Sequence, residues 1–126
     1  MARRSSGFTL VELLVVMAII ATLLTVAVPR YLQSADRARE AALRQTLAAT
    51  RDAIDKYHGD TGRYPETLEE LVGKHYLRRV PYDPITQSDT TWAIVPPAGD
   101  RAEPGVYDLR SGADGHARDG TPYAQW

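Results

Sequence analysis

The chain has 126 residues, 44% of them apolar and 25% charged, with a formal net charge of −1 and no cysteine. A balance this close to neutral excludes the clustered basic face of a phosphate-reading nucleic-acid binder, and the missing thiols exclude a disulfide framework and a thiolate metal site. Once about thirty residues go to the apolar run near the start, the length leaves room for one small domain.

Only threonines and Glu12 interrupt the apolar stretch 8–28. At 1.5 Å per residue it covers roughly 30 Å, the hydrocarbon thickness of a bilayer, so it can span one. Arg3 and Arg4 precede it. Positive flanks stay on the cytoplasmic side, so the bulk of the chain is expected beyond the membrane; Arg30 weakens that asymmetry without reversing it. An ordinary secretory signal peptide, cut at a small-residue site such as Thr25-Val26-Ala27, fits less well, because its apolar centre is ~7–15 residues long and has no use for a carboxylate. A plain anchor with a chance glutamate fits poorly too. A charged side chain at mid-bilayer costs about 2.5–3.5 kcal/mol on insertion scales, less near the interface, so an intramembrane acid implies a partner.

The hexapeptide Gly7-Phe8-Thr9-Leu10-Val11-Glu12, behind a short basic leader, resembles the processing site of type IV pilins and of the pseudopilins of type II secretion. The resemblance implies that a prepilin peptidase cuts the bond between Gly7 and Phe8 and methylates the new amino terminus at Phe8. It also implies a use for the acid: Glu12 of an incoming subunit would pair, within the bilayer, with the Phe8 amine of the subunit already in place. Each charge would then offset much of the other's desolvation. The chain accordingly divides into a cleaved leader (1–7), a transmembrane half-helix (8–29) and a periplasmic globular domain (30–126).

Pro29 removes one helical hydrogen bond and can bend a helix without ending it. Beyond it Leu32, Ala35, Arg39, Leu43, Leu47, Thr50, Ile54 and Tyr57 recur at three- and four-residue steps. This spacing predicts one long helix from about Phe8 to Tyr57, its second half packed on a small sheet, with Gly59 and Gly62 ending it. Thr67 and Glu70 have capping-box spacing, which predicts a short helix with Leu68, Leu71 and Val72 inward. Glu69 and Glu70 do not make a catalytic pair, because adjacent helix positions point apart. Pro81 and Pro84 make stretch 76–84 an extended connection. Stretches 90–95 and 105–109 read as strands joined by a turn over 96–104. Two strands alone are marginal, so the long helix must cover one face.

Gly62-Arg63-Tyr64-Pro65, Leu77-Arg78-Arg79-Val80-Pro81-Tyr82-Asp83-Pro84 and Ser111-Gly112-Ala113-Asp114-Gly115 are together similar to the major pseudopilins of type II secretion. The resemblance therefore covers nearly the whole chain. Many type IV pilins close a carboxy-terminal loop with a disulfide, and its absence favours the pseudopilins. The resemblance implies an α+β, type IV pilin-like fold, with a long helix on a three- or four-stranded antiparallel sheet. It implies homopolymerisation into a short periplasmic filament that drives protein export. The implied partners are minor pseudopilins, an inner-membrane platform and a cytoplasmic ATPase. Two alternatives stay open: a type IV pilin for adhesion, motility or DNA uptake, and a non-polymeric membrane-anchored periplasmic binding module.

Between Asp108 and Gly120 several oxygen donors sit on a glycine-containing loop, the hard ligands and flexible backbone that calcium takes. Similar loops in major pseudopilins bind one calcium ion, so the resemblance makes Asp114, Asp119 and Ser111 candidate ligands. The loop departs from that pattern in its short spacing, its missing glycine pair and the cation of Arg118. The alternative is a turn-rich tail whose Asp and Gly residues shape the backbone, anchored by Tyr107, Tyr123 and Trp126. No cofactor is required on this reading, and Ca2+ is the one candidate. His58, His75 and His116 lie in no metal-ligand spacing, and neither a nucleophile elbow nor a phosphate-cradling loop is present. The chain reads as a substrate for processing and not as an enzyme.

Overall fold

A computed structural model of the chain describes residues 6–99 and 103–126. Its elements in order are helix α1 (Leu10–Thr61), helix α2 (Leu68–Gly73), strands β1 (Ala93–Val95) and β2 (Asp108–Arg110), and a 3-10 turn at Tyr123–Gln125. The chain resolves into two compact units, Met1–Asp36 and Arg37–Trp126.

The first unit carries the start of α1. Its apolar stretch has a mean hydropathy of 2.6, and none of it is buried by the rest of the chain. So large a continuous apolar surface is suited to lipid or to other helices, not to water. Thr22 and Thr25 donate their hydroxyls back to the carbonyls of Ala18 and Ala21 at 2.8 and 2.7 Å, which satisfies them without water, as a bilayer interior demands. Pro29 lies inside α1, which continues past it. The leader arginines Arg3 and Arg4 lie outside the described residues.

In the second unit α1 buries Leu43, Leu47, Thr50, Ala53, Ile54 and Tyr57. The periodic stripe of the sequence was expected to begin at Leu32, but Leu32 is 57% exposed and Arg39 is exposed as well. The buried stripe starts at Leu43, the first residue of α1 that belongs to the core cluster. Leu68 and Leu71 of α2, with Trp92, Val106 and Leu109, complete the core. The Trp92 indole N–H donates to the Pro81 carbonyl at 2.7 Å, so the proline-rich connection is tied to the core's largest ring.

α1 runs through Gly59 and stops at Thr61, four residues later than its periodicity suggests. Gly62 ends it with φ +74, its N–H donating to the His58 carbonyl at 2.8 Å. That is the left-handed C-cap in which glycine carries no steric penalty. Thr67 caps α2 as its spacing predicts, accepting from the Glu70 N–H.

β1 and β2 pair antiparallel, Ala93 opposite Arg110, Ile94 opposite Leu109 and Val95 opposite Asp108. The sheet of the described residues has two strands, where the resemblance implied three or four. Both strands are shorter than expected, and β2 lies later, reaching Arg110, although the Tyr107 N–H just before it still donates to the Val95 carbonyl at 2.9 Å. The Val106 N–H goes to the Pro65 carbonyl at 2.8 Å, and the Thr91 hydroxyl pairs with that of Thr86 at 2.7 Å. The architecture is α+β and type IV pilin-like: a long amino-terminal helix and a small antiparallel sheet.

Candidate functional site at the head of the long helix

Thr9 stands just before the first residue of α1, and Glu12 is in its first turn. The Glu12 N–H donates to Thr9 Oγ1 at 3.1 Å, and the Thr9 N–H donates to Glu12 Oε2 at 3.4 Å. This is a reciprocal capping box, with the carboxylate turned back over the positive end of the helix dipole. The arrangement gives an acid at the membrane segment two partial compensations inside its own chain. The bond from the Thr9 N–H is loose, longer than the usual range of about 2.7–3.2 Å, so the carboxylate can be drawn to a stronger partner. Sequence reasoning read the same spacing at Thr67 and Glu70 and overlooked it here; the Thr-x-x-Glu pattern was the available signal.

Two residues before Thr9, Gly7 has no packing reason to be glycine. A Cβ built on it meets nothing within 4 Å, and its backbone is not left-handed. Phe8, next to it, is 84% exposed. Nothing in the described fold of the subunit requires this pair.

The three candidate calcium ligands are not gathered into one shell. Ser111 is fully buried, and its hydroxyl donates inward to Asp83 Oδ2 at 2.5 Å. Asp119 Oδ1 accepts from the Thr121 hydroxyl and N–H at 2.6 and 2.9 Å, bonds that hold its carboxyl below the usual range. Asp114 faces solvent. Among the described residues no group of three or more His, Asp or Glu side chains is placed to hold a metal ion. As they stand, the three side chains do not fit a shared calcium shell.

Protein groups hold the tail instead. Arg51 of α1 reaches Asp108 Oδ1 from Nε at 2.7 Å, and its Nη2 donates to the carbonyls of Leu109 and Trp126 at 3.1 and 2.7 Å. The Arg44 guanidinium lies 4.5 Å over the Trp126 ring, which also packs edge-on against Tyr123. Glu40 Oε1 accepts from the Arg118 N–H and the Tyr123 hydroxyl. Tyr123 and Trp126 are thus anchors, whereas Tyr107 is half-exposed and packs edge-on against Tyr64 near the end of α1. Arg51 and Asp83 were not singled out from the sequence, since each acts through partners far along the chain.

Glu70 anchors the junction of α1 and α2. It accepts from Arg63 and from the Tyr57 hydroxyl on Oε1, and from the Glu66 N–H on Oε2. These donors, Arg63 first, lower its carboxyl to about 2.

A bare apolar helix headed by Gly7-Phe8 and a capped Glu12, continuing into a small α+β domain, defines a membrane-anchored subunit of the type IV pilin-like class. A family model described as "Prokaryotic N-terminal methylation motif" matches residues 2–28. The chain is similar to type II secretion system core protein G of Aeromonas hydrophila, 34% identical over 98 residues, covering 65% of this chain and 68% of the relative. It is also similar to core protein G of Escherichia coli (strain K12), 32% identical over 129 aligned positions that cover 89% of this chain and 84% of the relative. For the Vibrio cholerae protein of that name the identity is 32%, over 90% of this chain and 84% of the relative. No solved structure gave a significant match. The chain belongs to the type II secretion system core protein G family, the major pseudopilins of that system.

Proposed function

We propose that this chain, once cut between Gly7 and Phe8 and methylated at Phe8, polymerises through α1 into a periplasmic pseudopilus that drives protein export. Its amino terminus is cytoplasmic and its globular domain periplasmic. Glu12 leaves its own loose cap to pair with the Phe8 amine of a neighbouring copy, which fixes the register of each incoming subunit. The peptidase and methyltransferase, minor pseudopilins and an inner-membrane platform act on it or beside it. It performs no catalysis of its own, and the Arg51 clamp makes bound calcium dispensable for holding the tail.

One observation carries this reading: a carboxylate held loosely at the head of an uncovered apolar helix, four residues after the phenylalanine of a Gly7-Phe8 pair for which the subunit's packing has no use. In lipid a charge placed so must gain a partner or be penalised. Determining the mature amino-terminal residue and its mass tests the reading. Methylated Phe8 is expected, whereas Val28 would mean ordinary secretion and retained Met1 a plain anchor.

A further inference from the structure

We infer that a groove between α2 and β1 receives, from a second copy of this chain, the face of α1 that carries Arg30, Tyr31 and Arg37; the contact rests on the polymer reading above. The groove's floor is apolar, formed by Leu68, Trp92 and Val106, with Ile94 43% exposed at its lip. Its rim is acidic: Glu66, Glu69 and Asp89 are all exposed on it, and no basic side chain lines it. Among the described residues none of the three makes an ion pair. Arg63, whose charge reaches Glu66, is already bonded to Glu70. The groove thus suits an apolar ring flanked by cations.

The chain itself carries such a surface. Tyr31 is 73% exposed, the most of its tyrosines, and lies in α1 just past Pro29. At 100° per residue Arg30, Tyr31, Ser34, Arg37 and Ala38 fall within one arc of about 120°, while Asp36 lies on the opposite side. That arc presents one ring along one edge and two guanidiniums along the other, +2 against the rim's −3. Its two cations are opposite in sign to the rim's three carboxylates, and tyrosine with arginine is the composition of an interface anchor. Before assembly the same residues sit where the helix leaves the bilayer, a position that aromatic and basic side chains favour. Assembly exchanges that surface for the groove.

The chain has no cysteine, so an engineered pair reports without background. Tyr31→Cys in a tagged copy and Ile94→Cys in an untagged one, co-expressed and oxidised, are expected to give a tagged–untagged disulfide dimer in sedimented filaments. Filaments that sediment normally without that dimer would sink the groove and leave the polymer intact. No filament from the unmodified chain would sink both. A dimer that persists when Glu12→Ala abolishes filaments would overturn a contact made by assembly. In a second arm, Glu66→Lys with Asp89→Lys lowers filament yield at least about tenfold, since like charges across an interface cost several kcal/mol. Adding Arg30→Glu and Arg37→Glu to that chain restores most of the yield, and a failure to restore counts against the pairing. If Arg30→Gln with Arg37→Gln weakens membrane retention and leaves filament yield unchanged, lipid headgroups are the occupant and the inference fails.

Discussion

The Arg51 guanidinium and the Asp108 carboxylate meet at 2.7 Å across 57 residues of sequence, joining the long helix to β2. The same side chain also bonds the carbonyls of Leu109 and Trp126, so one arginine closes three separate segments. Arg51→Leu takes one donor from each of two carbonyls and one from a carboxylate that then keeps only the Leu109 N–H. Because the pair is partly exposed, the expected loss is modest, about 1–3 kcal/mol. For a domain of this size each kcal/mol lowers the melting temperature by about 4–8 °C. Arg51→Lys recovers less than half, since an ammonium lacks the planar fork. Chelator or added calcium is expected to leave the wild-type midpoint in place, and a clear rise with calcium would restore a metal to the tail.

Glu12 serves two tasks that substitutions can separate. Glu12→Gln keeps a side chain able to accept from Thr9 but removes the charge; Glu12→Ala removes both. If the acid exists to pair with an amine, both variants are processed at Gly7 and both lose filaments, at least about tenfold, because one charge is left buried and unpaired. Sedimentation of sheared filaments, with the mature amino terminus read by mass, decides it. Wild-type yield from the glutamine variant would mean that the cap alone is what this position provides.

The Glu70 carboxyl sits at about 2 against an ordinary 4.5, held down by Arg63, the Tyr57 hydroxyl and the Glu66 N–H. A carboxyl whose folded pKa is depressed contributes stability that is complete above its unfolded value. That contribution is lost as pH falls from about 4.5 toward 2. Melting temperature measured from pH 6 to pH 2 should decline across that window more steeply for wild type than for Glu70→Gln. At neutral pH the variant is less stable by about 1–3 kcal/mol. Parallel curves would mean that the network adds nothing.

How far the sequence revealed all this depended on how local each interaction is. The long helix, its spanning half, the Thr67 cap and the inward leucines of α2 follow from three- and four-residue spacings, and those were readable. The end of α1 was misplaced because two glycines compete, and only Gly62 adopts the left-handed conformation that stops a helix. The tail was the least legible part. Ser111 resembled an ion ligand until its buried partner Asp83, 28 residues earlier, was in view. Arg51 lies next to Thr50 of the buried stripe, and nothing in its helical spacing points to Asp108, Leu109 or Trp126. Partners that distant leave no periodic trace in a single chain.

Gly112 makes the same point about a backbone that sequence could not see, and it carries the last prediction. A Cβ at this position would lie 1.8 Å from the carbonyl oxygen of Thr91, which is main chain and cannot rotate away. Gly112→Ala must therefore push the segment after β2 off the segment before β1. With it go the neighbouring Ser111 bond to Asp83 and the Ala113 N–H bond to Ser111 Oγ. The expected cost exceeds about 3 kcal/mol, among the larger effects of a single substitution. Gly59→Ala is the control: a Cβ there meets nothing within 4 Å, and the residue is inside α1. Relieving a helix of its glycine adds up to about 1 kcal/mol, so this variant should melt at or above wild type. Thermal melts followed by tryptophan fluorescence, through Trp92 and Trp126, compare the two directly. Equal midpoints would mean that the close approach at Thr91 is not a feature of the folded protein.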